Sequence, residues 1–145
     1  MKTAIVYYSR HHGNTKKLLD AVAAGNEVEL IDVTGQPDAD LSSYDRIGFA
    51  SGIYYNAFAA QLTDFAREKL PEGKDVFFIY THGAPRGTFL KAIREIAAAK
   101  GCRELGEYGC RGYDTFGPFR LVGGIAKGHP TAEEIQGAVS FYNEL

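Results

Sequence analysis

Apolar and polar residues along this chain switch repeatedly between two spacings, and the switches mark out strands and helices from end to end. Thr3-Ala4-Ile5-Val6-Tyr7-Tyr8 is almost continuously apolar, as in a strand buried on both faces of a parallel sheet. Asn14 to Ala24 then places Leu18, Ala21 and Val22 on one helical face, with Gly13 or Asn14 suited to the cap. Glu27 to Val33 alternates only partly and predicts an edge strand. Thr34 to Ser43 is polar and broken by Gly35 and Pro37, with room for no more than a short, distorted helical turn. Asp45 to Ser51 predicts a third strand, after which Phe58, Leu62, Phe65, Ala66 and Leu70 recur at helical spacing. Asp75 to Thr81 predicts a fourth strand, followed by a helix lined by Phe89, Ile93, Ile96 and Ala97. Cys102 to Cys110 supplies a fifth strand, and Ile135, Ala138, Val139 and Tyr142 mark the last helix. No repeat, low-complexity tract or linker interrupts the pattern, so a single domain over residues 1–145 is expected. Five strands alternating with helices predict a doubly wound α/β sheet with right-handed crossovers.

Ligands of such sheets sit beyond the carboxyl ends of the strands, which directs attention to four loops. The first, Ser9-Arg10-His11-His12-Gly13-Asn14-Thr15, is almost all hydrogen-bond donors and opens a helix. A helix N-terminus adds unpaired N–H groups and partial positive charge, so the loop predicts an anion site, most naturally for a phosphate. The alternative is a polar turn with a capped helix. Ser51-Gly52-Ile53-Tyr54-Tyr55-Asn56 presents two adjacent tyrosines whose faces suit a flat ring system, against the plainer reading of a hydrophobic helix entry. Thr81-His82-Gly83-Ala84-Pro85-Arg86-Gly87-Thr88 is small and glycine-rich, which lets backbone approach a planar ligand. The irregular stretch from Gly112 to Pro130 offers Tyr113 or Phe116 as a cover for the site, or is an ordinary crossover.

Composition narrows the partners. A net charge of -2 argues against nonspecific binding to nucleic acid or anionic membranes. No apolar stretch approaches the ~20 residues of a membrane span, and Met1-Lys2 leads directly into the first strand without a signal-peptide core. Cys102 and Cys110 stand eight apart with no C-x-x-C, and read as two structural or surface thiols rather than metal ligands; a cytoplasmic location is expected. The loops also exclude other chemistries. Neither G-x-x-x-x-G-K-[ST] nor G-x-G-x-x-G follows the first strand. Ser9 and Ser51 stand where a phosphate-receiving domain needs magnesium-binding carboxylates, and the loop has no thiol for a cysteine phosphatase.

A phosphate socket with flat aromatic walls fits flavin mononucleotide, and here a family resemblance enters. Ile5-Val6-Tyr7-Tyr8-Ser9 with Gly13-Asn14-Thr15 resembles the N-terminal signature of flavodoxins. Gly112-Tyr113-Asp114-Thr115-Phe116-Gly117-Pro118, Gly123-Gly124-Ile125 and Lys127-Gly128-His129-Pro130 are similar to a subgroup of short flavodoxin-like proteins of anaerobic bacteria and archaea. The resemblance implies a flavodoxin-like three-layer sandwich with strand order 2-1-3-4-5 and noncovalent FMN. It implies a phosphate held by Ser9, Arg10, His11, His12, Gly13, Asn14 and Thr15. It places the isoalloxazine against Gly52, Ile53, Tyr54, Tyr55, Thr81, His82 and Gly83; Ser51 and Phe116 complete the expected cofactor-binding residues.

Three departures from the family pattern stand out. Three residues, Arg10-His11-His12, separate Ser9 from Gly13-Asn14-Thr15 where two are usual. Tyr54 stands near the place where flavodoxins commonly carry a glycine whose peptide flips on reduction. Residues 9–15, 51–62 and 81–88 hold no carboxylate but include Arg10, His11, His12, His82 and Arg86, whereas typical electron-carrier flavodoxins ring their FMN with Asp and Glu. The expected function is electron transfer between redox partner proteins by a monomer or weak dimer, with no essential protein nucleophile. The alternative is an FMN-dependent NAD(P)H oxidoreductase acting on quinones or similar small acceptors, and a third reading is a module that has lost its flavin. His82 is the one candidate for delivering a proton to the flavin.

Overall fold

The most apolar segment of the chain forms the middle of the sheet. A computed structural model describes residues 1–9, 13–54, 57–82, 89–111 and 129–145. In it β1 (Thr3–Tyr8) lies between β2 (Val28–Asp32) and β3 (Arg46–Tyr54), followed outward by β5 (Asp75–His82) and β6 (Arg103–Arg111), every pair parallel. Numbering these strands one to five gives 2-1-3-4-5, the expected order. The sheet nevertheless has a sixth strand. A two-residue β4 (Ala57–Phe58) folds back antiparallel on the end of β3, with Ile53 opposite Phe58 and Tyr54 opposite Ala57.

Alternation along the strands builds two cores. Ile5, Ala50, Phe77 and Ile79 face α1 (Asn14–Ala24) and α4 (Ala132–Asn143), where they meet Leu18, Leu19, Val22, Ala138 and Tyr142. Val6, Phe49 and Phe78 face the other way, towards α2 (Ala60–Lys69) and α3 (Lys91–Ala99), and meet Leu62, Phe65, Ile93 and Ile96. Phe77 and Phe78 are both fully buried although adjacent, as a strand covered on both faces requires. The ring of Phe77 lies over Gly48 so closely that a methyl group there would overlap it.

Several boundaries differ from the expected ones. β3 runs three residues past Ser51, because Ile53 and Tyr54 find partners in β4. Phe58 belongs to β4 and Leu70 ends α2, so two of the five helically spaced residues lie outside that helix, though all five are buried in one core. In α1, Leu19 is fully buried while Ala21 is only half-buried, since the helix is covered by both sheet and α4 and its apolar stripe is wider than expected. Residues 34–43 form turns without a helix, begun where Asp32 accepts the N–H and hydroxyl of Thr34. No described helix is long and apolar enough to cross a membrane.

Candidate functional site

Parallel register brings the strand ends together. Tyr8 pairs with Ser51 and Gly52 with Thr81, so Ser9, Ser51, Gly52, Thr81 and His82 gather at one end of the sheet, where α1 also begins. Of the expected site residues, Arg10, His11, His12, Tyr55, Gly83 and Phe116 lie outside the described residues, as do Arg86 and Tyr113.

The start of α1 is built to leave its donors available. Gly13 stands at the N-cap with φ 63° and ψ 31°, a left-handed conformation that glycine adopts without penalty. The N-cap residue itself offers no capping side chain and no acidic residue stands in the first turn, which carries Lys16 and Lys17 instead. Lysines oppose the positive end of a helix dipole, so this end is electrostatically unfavourable until an anion meets it. Ser9 Oγ accepts the Lys16 N–H at 3.3 Å, which ties the end of β1 to the first helical turn. Asn14 is buried at the first helical position.

Three further hydroxyls expected at the site have internal partners. The Thr15 and Thr81 hydroxyls lie 3.0 Å apart, both buried, joining α1 to the end of β5. A hydroxyl carries one proton and two lone pairs, so neither is exhausted by this contact. Ser51 is fully buried; its Oγ accepts the Ala59 N–H at 3.1 Å and donates to the Gly52 carbonyl, fastening the start of α2 to β3. Ile53 and Tyr54 are half-buried in the β3–β4 hairpin. The Tyr54 ring stands edge-on to Tyr8 at 5.8 Å, with its hydroxyl close over Gly52.

His82 is held more tightly than a loop histidine. Its ring stacks on Phe89 with centroids 5.6 Å apart and planes at 28°, and lies 6.1 Å from Tyr80. Its Nδ1 is buried and has no hydrogen-bond partner among the described residues. Burial pushes the imidazole below its usual range, the Arg111 cation pushes the same way, and the Glu134 carboxylate opposes them. Glu134 also joins β6 to α4: Oε2 accepts the Arg111 N–H at 3.3 Å, while Oε1 accepts the Thr131 N–H at 2.7 Å and meets His129 Nδ1 at 2.5 Å. Burial raises the proton affinity of this carboxyl, but the three donors outweigh it and hold Glu134 below the ordinary carboxylate range.

Sequence reasoning missed Phe89, Arg111 and Glu134 as neighbours of His82. The Thr131-x-x-Glu134 spacing of a capping box is a local signal that the reading of the sequence passed over; the rest depends on strand register. Cys110 is buried, its thiol pushed up to about 12 by burial and by Glu134, and Cys102 is half-exposed.

The arrangement suits a phosphorylated planar ligand. A helix start with a glycine N-cap and no acidic side chain in its first turn, beside the Ser9 and Thr15 hydroxyls, attracts a phosphate. The strand tips at Gly52–Tyr54 and Thr81–His82 supply backbone, aromatic faces and an orphaned ring nitrogen for a flat, polar-edged ring system.

The sequence profile of the family described as "Flavodoxin domain" matches residues 5–99. An uncharacterized protein of Methanocaldococcus jannaschii is 34% identical over 147 aligned positions, covering all of this chain and 98% of that one. A solved flavodoxin from the domain Archaea superposes with a TM-score of 0.65 at 18% identity, covering 98% of this chain and 97% of that one. The flavodoxin of Fusobacterium nucleatum bound to flavin mononucleotide gives a TM-score of 0.66 at 12% identity, covering 99% of this chain and 98% of that one.

Proposed function

The chain belongs to the flavodoxin family, and from that premise we propose that it binds FMN and carries electrons between redox partner proteins. The observation that carries this reading is the start of α1, where a left-handed glycine at the N-cap and a first turn without acid stand beside the Ser9 and Thr15 hydroxyls. The bound flavin supplies the redox chemistry, accepting and releasing electrons on its ring.

The chain's residues bind and orient it. Ser9, Gly13, Asn14 and Thr15 hold the phosphate, together with Arg10, His11 and His12. Ser51, Gly52, Ile53, Tyr54, Tyr55, Thr81, His82 and Gly83 flank the ring, with Phe116 over it. Ser51 acts through its bond to Ala59 N–H, which fixes the hairpin carrying Gly52 and Tyr54. Tyr8 and Tyr54 exclude water from the ring's edge through their mutual contact.

Titrating the protein with FMN and with riboflavin tests the reading. FMN quenches in binding and holds much more tightly than riboflavin, because only FMN engages the α1 start. Equal affinity for both would sink the phosphate assignment. Mixing the FMN-loaded protein with NADH or NADPH alone then separates carrier from reductase. A carrier keeps its flavin oxidised until a partner reductase is added; bleaching with turnover of a quinone would establish the reductase instead.

A further inference from the structure

His82 ends β5 at the gathered end of the sheet, one residue after the hydroxyl that touches Thr15. Phe89 and Tyr80 clamp its ring, so the imidazole has little freedom to turn away from that end. Among the described residues its buried Nδ1 has no partner. None of them accepts an N–H there, so the described surroundings favour the neutral form.

The surrounding charges act in the same sense. From β6, Arg111 stands opposite His82 in register and disfavours a second cation. From α4, Glu134 favours the cation, but it is already engaged by Thr131, His129 and Arg111. Tyr80 on the same strand is kept protonated and neutral by burial, and Phe89 at the entry to α3 carries no charge. A negative charge arriving at the strand tips would oppose both burial and Arg111 and draw a proton onto the ring.

Resting on the flavin reading above, we propose that His82 is the proton-linked residue of the cofactor site: neutral beside the oxidised flavin and protonated beside the reduced, anionic one. The balance is complete with a low-potential one-electron donor acting twice. Two electrons pass to the flavin, one proton from water goes to the flavin ring, and a second proton from water goes to His82. The cation formed on His82 then neutralises the charge formed on the flavin. Phe89 and Tyr80 act as positioning residues that keep the imidazole at the strand tip.

The experiment uses the FMN-loaded protein, with FMN fluorescence quenching read first to establish the complex. The His82 ring resonances, assigned by comparison with His82→Gln, are followed against pH in the oxidised and dithionite-reduced states. Reduction raises the proton affinity of His82 by tenfold or more. Potentiometric titration between about pH 6 and 8, where an imidazole changes charge, shows uptake rising from one proton per two electrons towards two. His82→Gln holds it at one. Identical titration of His82 in both oxidation states, or an uptake unchanged by His82→Gln, would overturn the proposal. Should His82→Gln not fold, sequential correlation assigns the ring in the unaltered protein and the shift between oxidation states decides alone. Absence of FMN quenching would overturn the flavin reading itself, and is read before any proton is counted.

Discussion

The contact between Thr15 and Thr81 gives one side chain two duties, because the hydroxyl nearest the α1 start also fastens that helix to β5. The duties separate by mutation. Thr15→Val and Thr81→Val each lose the same buried hydrogen bond, so in a double-mutant cycle by urea denaturation they couple by about 1 kcal/mol. Only Thr15→Val also narrows the FMN-to-riboflavin affinity ratio; an equal effect of Thr81→Val would show that the ratio reports helix docking rather than phosphate contact. His82 and Glu134 make stability depend on pH in one direction. The His82 proton affinity is lower folded than unfolded, so protonation favours the unfolded chain as pH falls through the ordinary value of 6.5. The Glu134 proton affinity is also depressed on folding; its contribution is present above the ordinary value of 4.5 and is lost as pH falls further. The urea midpoint therefore drops in two stages on acidification, with His82→Gln flattening the upper stage and Glu134→Gln the lower. The kinds of group at the site were legible in the sequence at Ser9, Gly13–Thr15 and Thr81-His82. Their partners were not, since Thr15 and Thr81 are 66 residues apart and nothing local joins them.

The two helices packed on the same face of the sheet begin in opposite ways. α4 has a complete capping box, in which Thr131 Oγ1 accepts the Glu134 N–H at 3.1 Å and Glu134 returns a bond to Thr131 N–H. α1 starts on a glycine without a capping side chain of its own, and its Lys16 N–H goes to Ser9 just after β1. Thr131→Ala accordingly costs about 1 kcal/mol of stability and leaves FMN affinity unchanged. At the α1 start a methyl group on Gly13 would meet no atom of the described residues within 4 Å, and its φ of 63° opposes Gly13→Ala by about 1 kcal/mol. Gly48→Ala has the opposite cause: its backbone is ordinary, but the methyl would overlap the fully buried Phe77 ring, an overpacking cost of about 1–3 kcal/mol. Thermal denaturation of the three variants orders them. The cap pattern and the helix starts could be read locally, whereas the end of β3 could not. Its last residues pair with Ala57 and Phe58, and that hairpin buries Phe58 against Phe78, with ring centroids 6.3 Å apart.

Across the whole molecule, charge distinguishes this chain from acidic electron carriers of its family. The segments 9–15, 51–62 and 81–88 carry no carboxylate, and Arg111 adds a cation beside His82. Positive surroundings favour an anionic reduced flavin, so the second reduction step has a less negative potential than in acidic flavodoxins. A potentiometric titration giving a value as low as theirs would refute this. The chain by itself determined the number and order of the long elements, the parallel arrangement and the donor-rich loop at the end of the first strand. Those follow from periodicity and from helix-end chemistry, which act over a few residues. Only the tertiary structure decided that the buried Ser51 hydroxyl takes the Ala59 N–H. It alone placed Phe89, Arg111 and Glu134 around His82. Register and layer packing set those neighbours, and both depend on how strands far apart in sequence align side by side, which no local pattern encodes.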